Sequence, residues 1–258
     1  MSVYVTGDCH GDFRRFNTTN FKEQKDLTRD DIVIILGDTG ILWDRDESGK
    51  EEKYWLDWLN NKNFTILFVD GNHENFDRLN ALPVVDLFGG KAHKLRDNIY
   101  HLIRGNVFEI EGKKFFAFGG ASSHDIDGGI LDPNDYEDKN EFLEACRYLR
   151  KRHKSFRVRH VSWWDEELPT EAEMEFAENT LEKHDYKVDY VISHCCPQEV
   201  ASVISRGFYK PDVLTTWFNK LIIEHGLKFD HWYFGHYHSD MDLWRRFHLR
   251  YWDIERII

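Results

Sequence analysis

The chain has 258 residues, of which 41% are hydrophobic and 15% aromatic, and its formal net charge is −12. This apolar content is sufficient for one large domain with a buried core or for two small ones, of which we expect the single domain, and the aromatic content argues against an intrinsically disordered chain. The negative charge argues against broad electrostatic binding to nucleic acid or to an anionic membrane, so an anionic substrate requires a local positive site. No apolar run approaches the roughly 20 residues of a membrane-spanning helix.

The start of the chain and its cysteines favour a cytoplasmic protein. The opening segment MSVYVTGD lacks the basic and apolar regions of a secretory leader. Cys9, Cys146, Cys195 and Cys196 do not have the paired spacing of a zinc ribbon, and a disulfide between two adjacent cysteines is strained. We therefore expect reduced thiols, a cytoplasmic location and no membrane partner.

Six short runs rich in Val, Ile, Phe and Tyr predict buried β-strands. In chain order they are SVYVT (2–6), DIVIIL (31–36), FTILFV (64–69), KKFFAF (113–118), VDYVIS (188–193) and DHWYF (230–234). Apolar residues at helical spacing predict helices over 51–62 and 211–225. A capping box at Thr170 and Glu173 predicts a further helix that ends near His184. Strands that alternate with helices are typical of an α/β fold.

Five of these strands are followed by residues of the types that commonly bind metal ions. The segments are GDCH (7–10), GD (37–38), DGNHE (70–74), SH (193–194) and GHYH (235–238). Because the carboxyl ends of strands in α/β sheets form a shared crevice, we expect these loops to converge. Any one such motif is more often a turn, and a lone histidine is more often structural. Five of them in one chain predict a metal site.

The ordered set Asp-x-His, Gly-Asp, Gly-Asn-His-Glu, His and Gly-His-x-His resembles the calcineurin-like metallophosphoesterase superfamily. The likeness extends over residues 7–238, and GDTGILWD, GNHENF and FGGASSHD add similarity to small bacterial and phage members of unassigned substrate. It implies one metallophosphoesterase domain over 1–258, in which two mixed β-sheets form a sandwich flanked by helices, four layers in all. A two-metal centre is expected at one edge.

The resemblance also implies which residues bind the metals. Asp8, His10 and His238 would bind the first ion, Asn72, His194 and His236 would bind the second, and Asp38 would bridge them. Oxygen and imidazole ligands suit Mn, Fe or Zn better than Ca or Mg, and we expect Mn. Two neighbouring dications need a shared carboxylate, and their charge provides the local attraction for phosphate.

The implied activity is hydrolysis of a phosphomonoester or phosphodiester, in which a metal-bridging hydroxide attacks phosphorus directly. By resemblance, His73 faces the leaving-group oxygen and acts as a general acid. Its alternative roles are an additional metal ligand or a structural imidazole. The expected substrate is a small phosphoester. A metal-dependent nuclease and a catalytically silent scaffold on the same fold are the alternatives.

The second motif departs from that of the superfamily's Ser/Thr phosphatases. Those proteins carry an Asp and an Arg shortly after the bridging Asp, whereas this chain reads GDTGILWDRD, with Ile41 where the second acidic residue usually falls. The carboxylate that orients His73 is therefore open, with Asp44 as one candidate. The phosphate-binding arginine is open as well. Its candidates are Arg45, Arg78 and Arg104, each of which is more often a surface residue.

Residues 125–170 hold no ligand motif and are predicted to form an insertion beside the site. The run RYLRKRHKSFRVR (147–159) contains seven Lys or Arg in 13 residues, which would suit a nucleic-acid backbone. The acidic run DEELPTEAEME (165–175) follows it, and we prefer charge pairing between the two runs or exposure to solvent. Trp163 and Trp164 are either a stacking surface for a substrate ring or core residues.

Five further residues belong to the strand-end loop FFAFGGASSHD (115–125) or lie between two predicted ligands. The Ser122 and Ser123 hydroxyls are candidates to line the pocket, and His124 and Asp125 are candidates to support ligands without binding metal. Cys9 lies between two ligands, where alternation turns its side chain away, so we expect it to pack in the core.

Overall fold

Two mixed β-sheets form the centre of the molecule. In a computed structural model that describes residues 1–46 and 49–258, the first sheet has seven strands in the order β15-β1-β2-β3-β6-β5-β4 and the second has six in the order β13-β14-β12-β11-β8-β7. The strands of the first sheet are β1 (Val3–Thr6), β2 (Ile32–Ile35), β3 (Thr65–Phe68), β4 (Val84–Leu87), β5 (Gly90–Arg96), β6 (Ile99–Leu102) and β15 (Glu255–Arg256). Those of the second are β7 (Asn106–Ile110), β8 (Lys113–Phe118), β11 (Tyr190–Ser193), β12 (His231–Phe234), β13 (Met241–Leu243) and β14 (Phe247–Leu249).

The remaining elements lie outside these sheets. The short strands β9 (Ile130–Leu131) and β10 (Arg157–Val158) pair in parallel with each other. The α-helices are α1 (Lys50–Asn60), α2 (Phe76–Leu79), α3 (Lys139–Lys151), α4 (Glu171–Lys183), α5 (Gln198–Ile204) and α6 (Val213–Ile223). Single 3₁₀ turns occupy Arg14–Phe16, Lys22–Lys25, Pro133–Asp135 and Asp165–Glu167. No helix in the described ranges is both long and apolar enough to traverse a bilayer.

The sandwich has four layers because both faces of its central strands are apolar. Ile32 and Ile34 of β2 pack with Phe115 of β8 and Ile192 of β11 in the core between the sheets. Side chains alternate across a strand, so the intervening residues of β2 face outward, where they pack with α1. The outer face of the second sheet packs against α4, α5 and α6. The predicted sandwich of two mixed sheets with flanking helices is confirmed.

The six predicted strands are all present, as β1, β2, β3, β8, β11 and β12, and each lies within its predicted range. The three predicted helices are α1, α4 and α6. The capping box of Thr170 and Glu173 forms as expected, whereas α6 begins two residues after the predicted 211 because Asp212 caps its first turn. The strands that the sequence did not predict are at sheet edges or mix polar with apolar residues, as in the segment GKAHKLR of β5.

A buried charge cluster fastens the end of β3 to the second half of the chain. Asp70 accepts hydrogen bonds from Nε and Nη2 of Arg104, at 3.0 and 2.5 Å, and lies 3.0 Å from Nε2 of His101. Arg104 also donates to the carbonyl of Glu166, at 2.6 Å. Burial opposes ionisation of Asp70, but Arg104 and His101 outweigh it and hold its pKa well below the usual range.

Replacing Asp70 with Asn is therefore expected to lower the free energy of unfolding by about 3 kcal/mol, because the buried guanidinium of Arg104 keeps only the more exposed carboxylate of Glu173, 3.4 Å from Nη1. Urea denaturation measures this loss. Because the folded-state pKa is depressed, the contribution of Asp70 is present above its unfolded pKa of about 3.9 and is lost as the pH falls below it. Asp189→Asn, which weakens an ion pair with the exposed Lys113, is the control. An equal loss in both variants would contradict the assignment.

Candidate metal centre

The loops after β1, β2, β3, β11 and β12 meet at one edge of the sandwich. The strands β1, β2 and β3 are parallel in one sheet, and β11 and β12 are parallel in the other, so their carboxyl ends point the same way within each sheet. Backbone hydrogen bonds join the loops: His10 N donates to Asp38 O at 2.8 Å, and Gly235 N donates to His194 O at 2.9 Å. The expected convergence of the motifs is present.

Two groups of side chains at this edge have the spacing of metal ligands. The first contains Asp8, His10 and His238, and the second contains Asp38, His194 and His236; the candidate ligand atoms within each group lie within 4.8 Å of one another. These groups contain the residues that the resemblance implied, except that Asn72 is in neither group and that Asp38 is grouped with the second set.

Asp38 belongs to the second group and is also close to the first. Its Oδ2 is 3.3 Å from Nε2 of His194 in the second group and 3.9 Å from Nε2 of His10 in the first. In the first group, Oδ2 of Asp8 lies 3.1 Å from Nε2 of His238 and 3.8 Å from Nε2 of His10. One carboxylate is thus within reach of both groups, which is the position that a bridging ligand requires.

Unsatisfied buried atoms test whether these residues fit a metal ion. Oδ2 of Asp8, Oδ1 of Asn72 and Nε2 of His194 are buried and have no hydrogen-bond partner among the described residues. Leaving a buried polar atom without a partner costs about 1–3 kcal/mol. The amide of Asn72 is oriented by its Nδ2, which donates to Oγ of Ser123 at 3.3 Å. The donor set of carboxylate, amide and imidazole atoms therefore fits a divalent transition-metal ion.

Backbone groups hold the candidate ligands in place. Nδ1 of His194 lies 2.6 Å from the carbonyl of Leu36, which can only accept a hydrogen bond, so Nδ1 carries the proton and Nε2 points toward Asp38. Oδ1 of Asp8 accepts from the backbone N–H of His236 at 3.0 Å, and Oδ1 of Asp38 accepts from that of His73 at 2.7 Å. In both carboxylates, Oδ1 therefore accepts a backbone hydrogen bond and Oδ2 is left to face the other candidate ligands.

Four of the candidate ligands have left-handed backbone, which also occurs at nine non-glycine residues elsewhere in the described ranges. His10, Asp38, His236 and His238 have positive φ angles of 47°, 46°, 69° and 46°, a region that costs non-glycine residues energy and that clusters at active sites. A Cβ atom at Gly71 would lie 2.1 Å from Oδ1 of Asp38. Glycine at this position of the GNHE motif therefore lets the two loops approach each other.

The electrostatics of Asp38 and His236 favour the forms that bind cations, whereas at His194 the Asp38 carboxylate outweighs burial and raises the pKa to about 10, so an ion that binds there must displace a proton. Burial disfavours the ionised form of Asp38, but His194 and the other nearby histidines outweigh it and hold its pKa well below the usual range. Burial, together with the nearby His194, lowers the pKa of His236 well below the usual value. The first is thus a carboxylate and the second a neutral imidazole at pH 7, which are the protonation states of metal ligands.

His73 lies beside the two groups and belongs to neither. Its ring centroid is 5.3 Å from that of His10 and 6.1 Å from that of Trp43. Among the described residues, the side-chain partner found for the His73 ring is Arg157 rather than Asp44, with Nη2 3.5 Å from Nε2. Burial lowers the pKa of His73 more than the nearby Asp38 raises it, so its imidazolium is a stronger acid than a free one.

Arg157 is a site residue that the sequence analysis did not single out. It belongs to β10, within the segment 125–170, and Nη2 donates to both oxygens of Asp125 at 2.7 and 2.5 Å. In the sequence, Arg157 was marked only as a member of the basic run 147–159. The run by itself does not show that one of its arginines reaches His73.

The three arginines named from the sequence have other environments. Arg104 is buried against Asp70, and Arg78 donates to both oxygens of Glu52 at 2.7 Å. Both are therefore engaged in ion pairs; the preference for a surface position was wrong for the buried Arg104, whereas Arg78 is half-buried. Arg45 is exposed.

The loop 119–125 contributes to the site as well. Nε2 of His124 lies 2.9 Å from Nε2 of His236, and the His124 ring stacks on that of Tyr209. The Ser122 hydroxyl donates to Asp212 at 2.8 Å, and that of Ser123 donates to Glu167 at 2.9 Å. His124 thus supports a candidate ligand, while both serines bond to carboxylates.

Three of the seven basic side chains of the run form ion pairs, mainly with neighbouring residues, and the other four are exposed. Arg157 pairs with Asp125, Lys154 with Asp127, and Arg159 with Asp132 and Asp165. Of these partners, only Asp165 belongs to the acidic run 165–175, so the expected pairing between the two runs is largely replaced by pairing with residues 125–132. These ion pairs disfavour the interpretation as a nucleic-acid surface.

The remaining sequence expectations concern packing. Trp164 is fully buried and its Nε1 donates to Asp77 at 2.8 Å, so it is a core residue. Cys9 is buried among apolar side chains, as expected. All four cysteines are free thiols.

Comparison with known proteins agrees with this geometry. The model of the calcineurin-like phosphoesterase family matches residues 1–194, and the chain belongs to that family. No curated protein matches it significantly. Family membership and the ligand groups make it a metal-dependent phosphoesterase in the general sense, that is, a hydrolase of phosphoesters.

Two solved structures are similar to the chain. Phosphopantetheinyl hydrolase from Mycobacterium tuberculosis aligns over 100% of this chain and 95% of its own, with 14% identity and a TM-score of 0.45. A protein described as a 5′-nucleotidase from Staphylococcus aureus, in complex with alpha-ketoglutarate, aligns over 97% of this chain and 48% of its own, with 15% identity and a TM-score of 0.42. The chain therefore spans about half the length of the second protein.

Proposed function

We propose that this protein is a dinuclear phosphoesterase that hydrolyses a small phosphomonoester or phosphodiester. The observation that carries the proposal is Asp38, whose Oδ2 is within 3.9 Å of ligand atoms from both groups. Asp8, His10 and His238 would hold one ion, Asn72, His194 and His236 the other, and Asp38 both. Two transition-metal ions, Mn first and Fe or Zn as alternatives, would activate water and neutralise the phosphoryl oxygens.

The chain's own residues supply orientation and proton transfer. Asp38 holds the backbone of His73, and this bond fixes the imidazole beside the ligand groups. From there His73 donates a proton to the leaving-group oxygen. Residues 1–258 are proposed to act as one domain, with 125–170 as an insertion that delivers Arg157 to the site.

Removal of metal tests the dinuclear proposal. Treatment with chelator is expected to abolish hydrolysis of aryl phosphates, and Mn should restore it better than Mg because an imidazole-rich ligand set is too soft for Mg. Metal analysis of the reloaded protein should approach two ions per chain, one for each ligand group. Full activity with no bound transition metal would overturn the proposal.

Arg157 is proposed to bind a phosphoryl oxygen, since its guanidinium is the cation beside His73. Arg157→Ala should lower kcat/KM by about 10- to 100-fold, corresponding to about 1.5–3 kcal/mol for a hydrogen bond to a charged group. Arg157→Lys should recover part of this loss. Arg159→Ala removes a cation from the same segment that is paired with Asp132 and Asp165 instead, and it should leave the kinetics unchanged. Equal effects at both positions would refute the role.

A further inference from the structure

A cavity of about 330 Å³ opens beside His10 and His73. This size is within the range of small-molecule sites. Its walls come from the loops after β1 and β2 and from α1, and the large apolar side chains that line it are Phe13, Ile41, Trp43 and Trp55. Because two residues of the candidate centre form one end of this cavity, a group bound in it is next to the phosphoryl site.

The two indoles are held by the fold and offer stacking surfaces. Trp43 is 38% exposed, and its other side rests edge-on against the buried Trp164, with ring centroids 6.4 Å apart. Trp55 is half-buried and packs edge-on against Phe13 at 5.7 Å. A rigid tryptophan surface that faces a cavity favours a flat ring over a saturated group of similar size.

The charged residues of the cavity are all acidic. Asp44, Glu51 and Glu52 line it, and no Lys or Arg from the described ranges does so. Glu52 is neutralised by Arg78 and accepts hydrogen bonds from the backbone N–H groups of Trp43 and Asp44 at 3.0 and 2.9 Å. Its role is to shape the wall. Asp44 and Glu51 therefore give their wall of the cavity a negative charge, which disfavours an anionic substituent beside them and favours a cationic one, whereas the positive charge of the candidate centre is at the end lined by His10 and His73.

We propose that this cavity binds the alcohol portion of the substrate, and that this portion is a flat aromatic or heteroaromatic group with a neutral or positive charge. The inference rests on the proposed function, because it takes the phosphoryl group to lie at the ligand groups and the leaving oxygen to lie at His73. It narrows the substrate class to phosphoesters of aromatic alcohols and excludes leaving groups that carry further phosphates, as a nucleic acid does.

Four synthetic phosphomonoesters test the chemistry of the cavity. They are 4-(aminomethyl)benzyl, benzyl, 4-carboxybenzyl and cyclohexylmethyl phosphate. All four release a primary alcohol that is too basic to leave without protonation, which limits differences in the chemical step. We expect kcat/KM to fall in the order given for the three benzyl esters, and to be about 3- to 10-fold higher for benzyl than for cyclohexylmethyl phosphate. No difference among the four esters would overturn the proposal.

Matched variants assign these preferences to residues. Trp43→Leu should abolish the preference for benzyl over cyclohexylmethyl phosphate, and Trp43→Phe should retain it. Trp244→Leu alters an exposed tryptophan outside the cavity and should change nothing. Glu51→Gln should reduce the difference between the aminomethyl and carboxy esters, whereas Glu175→Gln, at an exposed position of α4, should not. A preference that survives Trp43→Leu would contradict the role of the indole.

Binding of the product alcohol separates this inference from the proposed function. 4-(Aminomethyl)benzyl alcohol is titrated into the purified full-length protein, and the indole N–H signal of Trp43, assigned with Trp43→Phe, is followed by NMR. A saturable shift at Trp43 that is weaker in Glu51→Gln supports the cavity even if none of the esters is hydrolysed, in which case only the proposed reaction fails. Hydrolysis of the esters without any shift of the Trp43 signal would overturn the proposal for the cavity and would leave the proposed reaction standing.

Discussion

Asp38→Asn is expected to lower kcat/KM for aryl phosphates by more than about 10²-fold, since even the outer partners of metal ligands cost 10- to 100-fold when they are lost. The substitution preserves the shape of the side chain and removes its charge. Oδ2 of Asp38 lies within 3.9 Å of imidazole nitrogens from both ligand groups, so the charge is lost where two cations would be closest to each other. Metal content should fall together with activity.

The control for this variant is a separate substitution that also removes the charge of a carboxylate. Asp189→Asn affects an ion pair with Lys113 at the surface, and it should leave metal content and kcat/KM unchanged. Cys9→Ser adds a test next to the ligands, because the Cys9 thiol is buried in the core and has no place in the site. Equal losses of activity in the three variants would mean that the assignment of Asp38 as the bridge is wrong.

His73→Asn should retain both metals and lose far more activity on alkyl phosphoesters than on nitrophenyl phosphoesters. An alkoxide is strongly basic and needs a proton in order to leave, whereas a nitrophenolate leaves unaided. General-acid catalysis is typically worth about 10²- to 10⁴-fold, so the loss on alkyl esters should fall in this range. Steady-state kinetics on the two series, with metal analysis of the same samples, measures the difference.

Two outcomes would assign His73 differently. Loss of a metal from His73→Asn would make it a ligand, although His73 lies outside both ligand groups. Equal losses on the two series would mean that the imidazole stabilises charge on the phosphoryl oxygens, a role that it would share with Arg157, 3.5 Å away. In either case the general-acid role would be abandoned.

The sequence by itself determined the central strands and the kinds of side chain that follow them. Runs such as DIVIIL are apolar on both faces, which only a strand buried between two layers accommodates. The capping box at Thr170 likewise depends on two side chains within one helical turn. These features could be predicted because the interactions that produce them are local. The edge strands and the interior strand β5 could not, because they mix polar with apolar residues and lack the continuous apolar run of a strand that is buried on both faces.

Only the tertiary structure decided which distant side chains act together. The motifs predicted a common crevice, but the position of Asp38 close to both ligand groups depends on how the two sheets pack. Arg157 reaches His73 across 84 positions of sequence, and Trp43 and Trp55 line one cavity although they belong to a loop and a helix. Such contacts arise from the packing of whole elements, whose relative placement depends on every layer of the sandwich at once, so no local pattern in the sequence encodes them.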